Sequence, residues 1–179
     1  NRMYPPAELM KFNRKERKVD EASQHPFLNE FLNKTGYQAP ADDKKLARLK
    51  ASYFGLMSEV DQNLGVLFDY LKKNNFWNNT LIIFTSDHGE QIGDHWLLGK
   101  LGYFDESYHI PLIIRDPNNH QNKGKIIEEY TENVDVMPTM LDWFDLPLPV
   151  QCDGQSLLPF LKDDKTPSNW RDAAHWEYD

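Results

Sequence analysis

The feature that most constrains the fold is a long series of apolar residues spaced three and four positions apart. The series begins at Leu46 and ends at Leu71, and its other members are Leu49, Tyr53, Leu56, Met57, Val60, Leu64 and Leu67. This spacing places all of these side chains on one face of an α-helix. The acidic stretch "ADDKK" favours the helix start, and "KKNN" favours its end, because Lys suits the C-terminal dipole and Asn tolerates a left-handed backbone. The pattern therefore predicts one long amphipathic helix.

Short apolar runs after this helix have the composition of strands. Residues 80–85, "TLIIFT", are apolar on both faces, which is typical of a central strand in a parallel sheet covered on both sides. Residues 110–116, "IPLIIRD", predict a second strand, and residues 124–131, "GKIIEEYT", predict a shorter third one. A helical pattern follows in residues 133–144, where Pro138 is tolerable only in the first turn. Strands separated by helices indicate an α/β fold.

The two ends of the chain differ in composition from its middle. Residues 1–40 contain four prolines and read as a partly irregular connecting arm with a short helix over residues 26–33. Within this arm, the basic cluster "NRKERK" of residues 13–18 is interpreted as an exposed face or a subunit contact. The chain starts at Asn1 without Met and stops inside "HWEYD", residues 175–179, whose composition suits a strand. We therefore expect a piece of a longer protein.

Composition limits the partners that the chain can have. Twenty Lys and Arg against 28 Asp and Glu give a net charge of −8, which argues against sequence-independent binding to nucleic acids. A small anionic substrate would need a metal or locally placed cations. No apolar run approaches the roughly 20 residues of a membrane span. The lone Cys152 cannot form an internal disulfide, so nothing marks an oxidising compartment, and the same count is compatible with a secreted protein. We expect a cytoplasmic location and leave a periplasmic one open.

Polar residues gather where the first predicted strand ends. In open α/β sheets, ligands bind at the carboxyl ends of the strands, and Asp87 and His88 lie at this position. The two side chains can share one ion only if the chain turns there, and Gly89 allows a turn at little steric cost. An Asp oxygen with a His nitrogen suits Mn²⁺, Zn²⁺ or Fe²⁺ better than an all-oxygen Ca²⁺ site. Alternatively, Asp87 caps the turn and His88 is a polar surface residue.

Two further residues of the same window could act on an anionic substrate. Lys100 follows a glycine-punctuated segment in which Gly99 and Gly102 let the backbone fold back towards the strand end. A Lys beside a metal would neutralise a non-bridging oxygen of a tetrahedral anion. His95 could bind the ester oxygen or protonate a leaving group. In the alternative interpretation, Lys100 is a solvated surface residue and His95 an ordinary loop histidine.

Two other residues are weaker candidates for chemistry. Cys152 has no cationic neighbour in the sequence, and a lone Cys is more often a packed residue than a nucleophile. His109, just before the second predicted strand, could line the site from the neighbouring strand, although a structural hydrogen bond is the expected role.

Three stretches together resemble the sulfatase branch of the alkaline phosphatase superfamily. They are "SDHGEQIGDHWLLGK", "YFDESYHIPLIIRDP" and "NVDVMPTMLDWFDLPLPVQCDGQSLLPFL", and the resemblance runs from the long helix to the C-terminus. The chain is most similar to the phosphonate monoester hydrolase and arylsulfatase group. The resemblance implies that residues 41–179 are the C-terminal part of an α/β sandwich, with a mixed, mainly parallel sheet flanked by helices.

The resemblance also implies roles for the polar window. Asp87 and His88 would be two ligands of a single divalent metal, Lys100 would contact the anionic group of the substrate, and His95 would lie close to the site. Many sulfatases have Asn in place of His88 and use Ca²⁺. The His therefore favours a transition metal and phosphonate monoesters or phosphodiesters, although Ca²⁺, Mg²⁺ and sulfate esters stay open.

The chain departs from the family pattern in one respect. These enzymes use a formylglycine nucleophile made in a C/S-x-P-x-R motif, and no such motif occurs in this sequence. We therefore expect the nucleophile and the remaining metal ligands to lie outside this chain, which would carry half of an active site and be inactive alone. The alternatives are a strict Ca²⁺-dependent sulfatase and a non-catalytic module with a sulfatase-like fold. The sequence leaves the oligomeric state open, including a homo-oligomer.

Overall fold

The computed structural model describes residues 3–21, 25–119, 123–162 and 166–176. Its α-helices are α1 (Lys18–Glu21), α2 (Pro26–Asn33), α3 (Asp43–Lys73), α4 (Asp105–Tyr108), α5 (Val136–Trp143) and α6 (Leu158–Lys162). Its strands are β1 (Ile82–Thr85), β2 (Gln91–Ile92), β3 (Leu98–Gly99) and β4 (Leu112–Arg115). Helices combined with small sheets agree with the predicted α/β class. Within the described ranges, no helix is long and apolar enough to cross a membrane.

The chain divides into two compact units. The first contains residues 1–77 and 83–114, and the second contains residues 78–82 and 115–179. The core of the first unit includes Phe31, Leu32, Leu46, Ile92, Leu97 and Leu101, and that of the second includes Leu157, Leu158 and Phe160. The predicted boundary at residue 40 stays a prediction.

Helix α3 confirms the predicted long helix. It begins after Asp42, whose carboxylate accepts hydrogen bonds from the backbone amides of Lys44 (2.9 Å) and Lys45 (3.4 Å). It ends at Lys73, and Asn75 has the left-handed backbone expected of the "KKNN" stretch, with φ of 60°. The residues that α3 buries are near its N-terminus: Leu46, Ala47 and Ala51. Most of the apolar stripe is exposed: Leu49, Tyr53, Leu56, Met57, Val60 and Leu67.

The strands form two small sheets. β1 and β4 are neighbours in one sheet, and β2 pairs antiparallel with β3 in the other. β1 and β4 lie within residues 80–85 and 110–116, so both of these predicted strands are confirmed. The third predicted strand is wrong, because residues 124–131 form no strand in the structure. Ile126 is 79% exposed, and β-branched residues do not form a strand without a neighbouring strand or a surface to pack against.

The N-terminal arm belongs to the first unit and packs against α3. The Tyr4 hydroxyl lies 2.6 Å from the Ser58 hydroxyl, and the Arg14 guanidinium forms an ion pair with Asp43. The prediction of an exposed basic cluster is wrong for Arg14, whose side chain is only 10% exposed. Its guanidinium carbon lies 3.9 Å from the centroid of the Trp96 ring. Helix α2 has the predicted bounds.

The second unit contains the helix predicted around Pro138. A 3₁₀ turn, Asn133–Asp135, leads into α5, and Pro138 lies in the first turn of α5, as expected. At the other end, His175 and Trp176 form no strand. The rest of the strand predicted for "HWEYD", residues 177–179, lies outside the described residues.

A buried carboxylate joins three segments of the second unit. The Asp135 side chain is fully buried and accepts hydrogen bonds from both terminal nitrogens of Arg171. It also accepts hydrogen bonds from the backbone amides of Glu132 and Gln155, at 2.8 Å each. The Thr139 hydroxyl donates to the Asp135 carbonyl. This carboxylate therefore connects the turn before α5, the loop before α6 and the segment at Arg171.

Candidate metal centre

The chain turns immediately after β1, as the sequence predicts. The Ser86 hydroxyl donates a hydrogen bond to the His88 carbonyl at 2.7 Å, and the His88 amide donates to Oδ1 of Asp87 at 2.9 Å. These bonds close a tight turn in which the Asp87 and His88 side chains point to the same side. As a result, Oδ2 of Asp87 lies 3.4 Å from Nε2 of His88.

The His88 ring is oriented by its own backbone. Its Nδ1 lies 2.8 Å from the Gly89 carbonyl, and a carbonyl only accepts, so Nδ1 carries the hydrogen. In the neutral ring, the lone pair is then on Nε2, on the side of Asp87. Metal-binding histidines commonly donate their other ring nitrogen to a backbone carbonyl or a carboxylate, which fixes the tautomer. The His88 side chain is 32% exposed, so it is not enclosed in the core.

Gly89 is required because two backbone segments come close together. Its amide donates to the Ser107 carbonyl at 2.7 Å. A Cβ at this position would lie 2.1 Å from the Glu106 carbonyl oxygen, which is shorter than any real contact. Gly89 is not among the residues of the described chain with positive φ. Its lack of a side chain, rather than the backbone freedom we predicted, therefore allows the turn to pack on α4.

Lys100 follows directly on the β2–β3 hairpin. Gln91 pairs with Gly99, so Lys100 leaves β3 opposite the start of β2. Its charge acts on the Asp87 carboxylate and lowers the pKa of that group. Gly99 and Gly102 have φ values of 86° and 96°, which confirms the predicted fold-back. The Lys100 side chain is exposed.

The pKa of Asp87 is lowered from its usual value. The main cause is the hydrogen bond from the His88 amide, and the charges of His88 and Lys100 act in the same direction. The Asp87 side chain is 84% exposed. Its carboxylate is therefore ionised at neutral pH, as binding of a divalent cation requires.

The two donor atoms fit a divalent metal, but two ligands are too few to hold it. Ligands about 2.1 Å from a tetrahedral ion lie about 3.4 Å apart, which matches the separation of Oδ2 and Nε2. In the part of the chain that the structure describes, no group of three or more His, Cys, Asp or Glu could hold a metal ion. Further ligands would have to come from elsewhere in the protein.

His95 lies in a separate cluster of buried polar groups. Its Nδ1 is 2.7 Å from the Glu21 carboxylate, and its Nε2 is 3.2 Å from that of Glu106. The ring stacks on Phe104 with centroids 3.6 Å apart and planes at 3°. Burial raises the pKa of Glu106, but the Asn13 amide and His95 outweigh burial and lower it overall. Sequence spacing gave no indication of this cluster, because its members come from distant segments.

Cys152 and His109, the two weaker candidates for chemistry, make contacts that belong to the local fold. The Cys152 sulfur is half-buried, 3.7 Å from the Gly154 carbonyl. His109 is exposed and caps α4 through its backbone amide, which donates to the Asp105 carbonyl at 2.8 Å.

Comparison with known proteins identifies the family. The Sulfatase family model matches residues 13–146, most of the chain. The chain belongs to the sulfatase family. The multifunctional alkaline phosphatase superfamily protein PehA of Trinickia caryophylli is 43% identical over 99% of this chain and 36% of that protein. An arylsulfatase of Clostridium perfringens is 32% identical over 89% of this chain and 35% of that protein.

Solved structures of the sulfatase family agree in fold. The phosphonate monoester hydrolase of Agrobacterium radiobacter superposes with a TM-score of 0.90 and 40% identity, over 99% of this chain and 37% of that one. The predicted resemblance and the α/β fold class are therefore confirmed. The chain spans little more than a third of the length of these relatives. The roles of Asp87, His88, His95 and Lys100 stay predictions.

Proposed function

We propose that this chain is part of a metal-dependent hydrolase of phosphonate monoesters, phosphodiesters or sulfate esters. Family membership and the names of the relatives support ester hydrolysis. The observation that carries the metal proposal is the convergence of Asp87 Oδ2 and His88 Nε2, with the His88 tautomer set by Gly89. A bound divalent metal would supply Lewis-acid chemistry, polarising the ester and lowering the pKa of the nucleophile.

The residues of this chain would hold and orient the reacting groups. Asp87 and His88 would supply two of the metal ligands, and the Lys100 ammonium would bind a non-bridging oxygen of the substrate. Because charge on these oxygens changes in the transition state, a fixed cation there lowers the barrier. The predicted formylglycine nucleophile and the other ligands would come from residues outside this chain.

His88 also bears on which metal is bound. A neutral imidazole is a good ligand for Mn²⁺, Zn²⁺ and Fe²⁺ and a poor one for Ca²⁺ and Mg²⁺, which prefer oxygen. The second candidate is a strict Ca²⁺-dependent sulfatase, and the name of the arylsulfatase relative supports the sulfatase activity in this alternative. Metal analysis distinguishes the two. A non-catalytic module would bind neither metal, and the complete gene would lack a C/S-x-P-x-R motif.

The remaining proposals concern partners and location. A small anionic ester is the proposed substrate, and the net charge of −8 argues against a nucleic acid partner. The single Cys152 marks no oxidising compartment, so a cytoplasmic location is proposed and a periplasmic one stays open. A homo-oligomer is compatible with these features.

The metal proposal is tested on the complete protein by elemental analysis after dialysis. We expect one Mn, Zn or Fe per chain, and at least a tenfold weaker affinity in Asp87→Asn and His88→Ala, because removing one ligand leaves an incomplete site. His109→Ala is the matched control, since it removes an exposed histidine that we do not place at the metal. Full metal content in both ligand variants would contradict the proposal. Turnover is then compared on aryl phosphonate, phosphodiester and sulfate esters.

A further inference from the structure

The segment that begins at Gly93 has an unfavourable backbone conformation. Gly93 has φ of 98°, and the next left-handed residues are His95 (52°) and Trp96 (61°). Left-handed conformations are unfavourable for residues with a Cβ and persist only where surrounding contacts impose them. The contacts that impose this conformation should therefore be identifiable, and they are made by the N-terminal arm.

The arm holds this segment through backbone hydrogen bonds. The His95 amide donates to the Asn13 carbonyl at 2.8 Å, and the Asn13 amide donates to the Asp94 carboxylate at 2.7 Å. The Trp96 indole donates to the Lys15 carbonyl at 2.9 Å. These bonds connect residues about 80 positions apart in the sequence.

The His95 ring adds a second set of contacts. Its two nitrogens face Glu21 of α1 and Glu106 of α4, and the side chains of His95 and Glu21 are 14% and 7% exposed. Each ring nitrogen therefore has a carboxylate oxygen within 3.2 Å, and the Asn13 amide nitrogen lies 3.5 Å from Nε2. The ring thereby connects the arm to both ends of the stretch from Asp94 to Glu106.

Lys100 lies between these two anchored ends. The stretch around it includes three further left-handed residues, Gly99, Gly102 and Tyr103, so its path depends on where its ends are held. We propose that Glu21 and Glu106, through His95, form a clamp that positions Lys100 against the substrate. Glu21, His95 and Glu106 are then positioning residues, and none of them needs to touch the substrate. This inference rests on the proposed function.

The test is a double-mutant cycle between Glu21 and Lys100 in the complete protein. Glu21→Gln keeps the size of the side chain and removes its charge. We expect it to lower kcat/KM on an aryl phosphonate monoester about tenfold when Lys100 is present, and less than about twofold in the Lys100→Ala background. Glu16→Gln, an exposed carboxylate on the same arm, is the matched control and should leave both values unchanged.

Hydrogen exchange provides a readout that does not depend on activity. Glu21→Gln should raise the exchange rate of amides in residues 94–106 while leaving α3 protected, and Glu106→Gln should do the same. Equal losses of kcat/KM in both Lys100 backgrounds would overturn the inference, as would unchanged exchange in both glutamine variants. If the parent protein hydrolyses none of the three ester classes, the proposed function fails. Hydrogen exchange of residues 94–106 then still shows whether Glu21, His95 and Glu106 hold this segment in place.

Discussion

At the scale of single residues, two Arg–Asp pairs in the described part of the chain each have two hydrogen bonds but lie in different surroundings. Arg171 donates two hydrogen bonds to Asp135, which is fully buried. Arg17 also donates two hydrogen bonds, at 2.7 and 2.6 Å, to the exposed Asp20. A buried carboxylate that loses its cation cannot recover that interaction from water, whereas an exposed one can.

We predict that Arg171→Leu lowers the free energy of unfolding by about 3 kcal/mol, because it leaves Asp135 buried without its cation. Arg17→Leu is the control and should leave the free energy of unfolding unchanged within error. Both values are measured by urea denaturation of the same preparation. Similar effects of the two substitutions would show that burial of Asp135 does not determine the strength of its pair.

The lowered pKa of Glu106 predicts that the free energy of unfolding decreases as the pH is lowered. Burial acts to raise this pKa, but the Asn13 and His95 contacts lower it below the usual 4.5. Folding thus favours the ionised form of Glu106. Its contribution to the free energy of unfolding is complete above pH 4.5 and is lost as the pH falls through the pKa of Glu106 in the folded state. Glu106→Gln should therefore flatten the loss of stability between pH 5 and pH 3, measured by urea denaturation. An unchanged slope, equal to that of Glu16→Gln, would contradict this prediction.

At the scale of elements, the close packing on α4 of the turn after β1 determines where Asp87 and His88 can be. Only a glycine fits at position 89, because the Glu106 carbonyl occupies the place of a side chain. Gly65 of α3 has no such constraint, since a Cβ there meets nothing within 4 Å. The two glycines therefore have opposite expected responses to the same substitution.

We predict that Gly89→Ala lowers the free energy of unfolding by about 1–3 kcal/mol, because the backbone of the turn or of α4 must move to make room. In contrast, Gly65→Ala should raise it by about 0.5–1 kcal/mol in this chain, because Ala restricts the unfolded chain and favours helix. Thermal unfolding followed by circular dichroism measures both. A stable Gly89→Ala variant would mean that the two segments separate easily.

At the scale of the whole molecule, the chain has a long helix whose apolar stripe is largely exposed. The exposed fractions of Leu56, Met57 and Val60 in the apolar stripe of α3 are 61%, 55% and 51%. Exposed apolar stripes of this kind mark surfaces that pack against other protein. The chain also spans only 36% of the length of its PehA relative.

We predict that the isolated 179-residue chain has no turnover, because the described residues supply too few ligands to hold a metal. The assay uses aryl phosphonate and aryl sulfate esters with added Mn²⁺, Zn²⁺ or Ca²⁺, and the complete protein is the positive control. Activity of the isolated chain that disappears in Lys100→Ala would contradict the prediction.

Local sequence determined the elements that depend on neighbouring residues. The periodicity of α3, the Asp42 cap, the first-turn Pro138 and the turn after β1 all arise from interactions over a few residues. The pairing of Asp87 with His88 belongs to this class, since adjacent residues in a tight turn must come together. These features were predictable because their causes are steric and local.

Only the tertiary structure decided which distant residues meet. His95 contacts Glu21, 74 positions away, so its surroundings could not be inferred from the Asp87 window in which it occurs. Gly89 is needed because α4 approaches it, and Arg14 is buried because Trp96 and Asp43 cover it. Residues 124–131 have the composition of a strand, but none of the described strands pairs with them. Contacts between remote segments depend on how the elements pack, and hydrophobic periodicity carries no information about that packing.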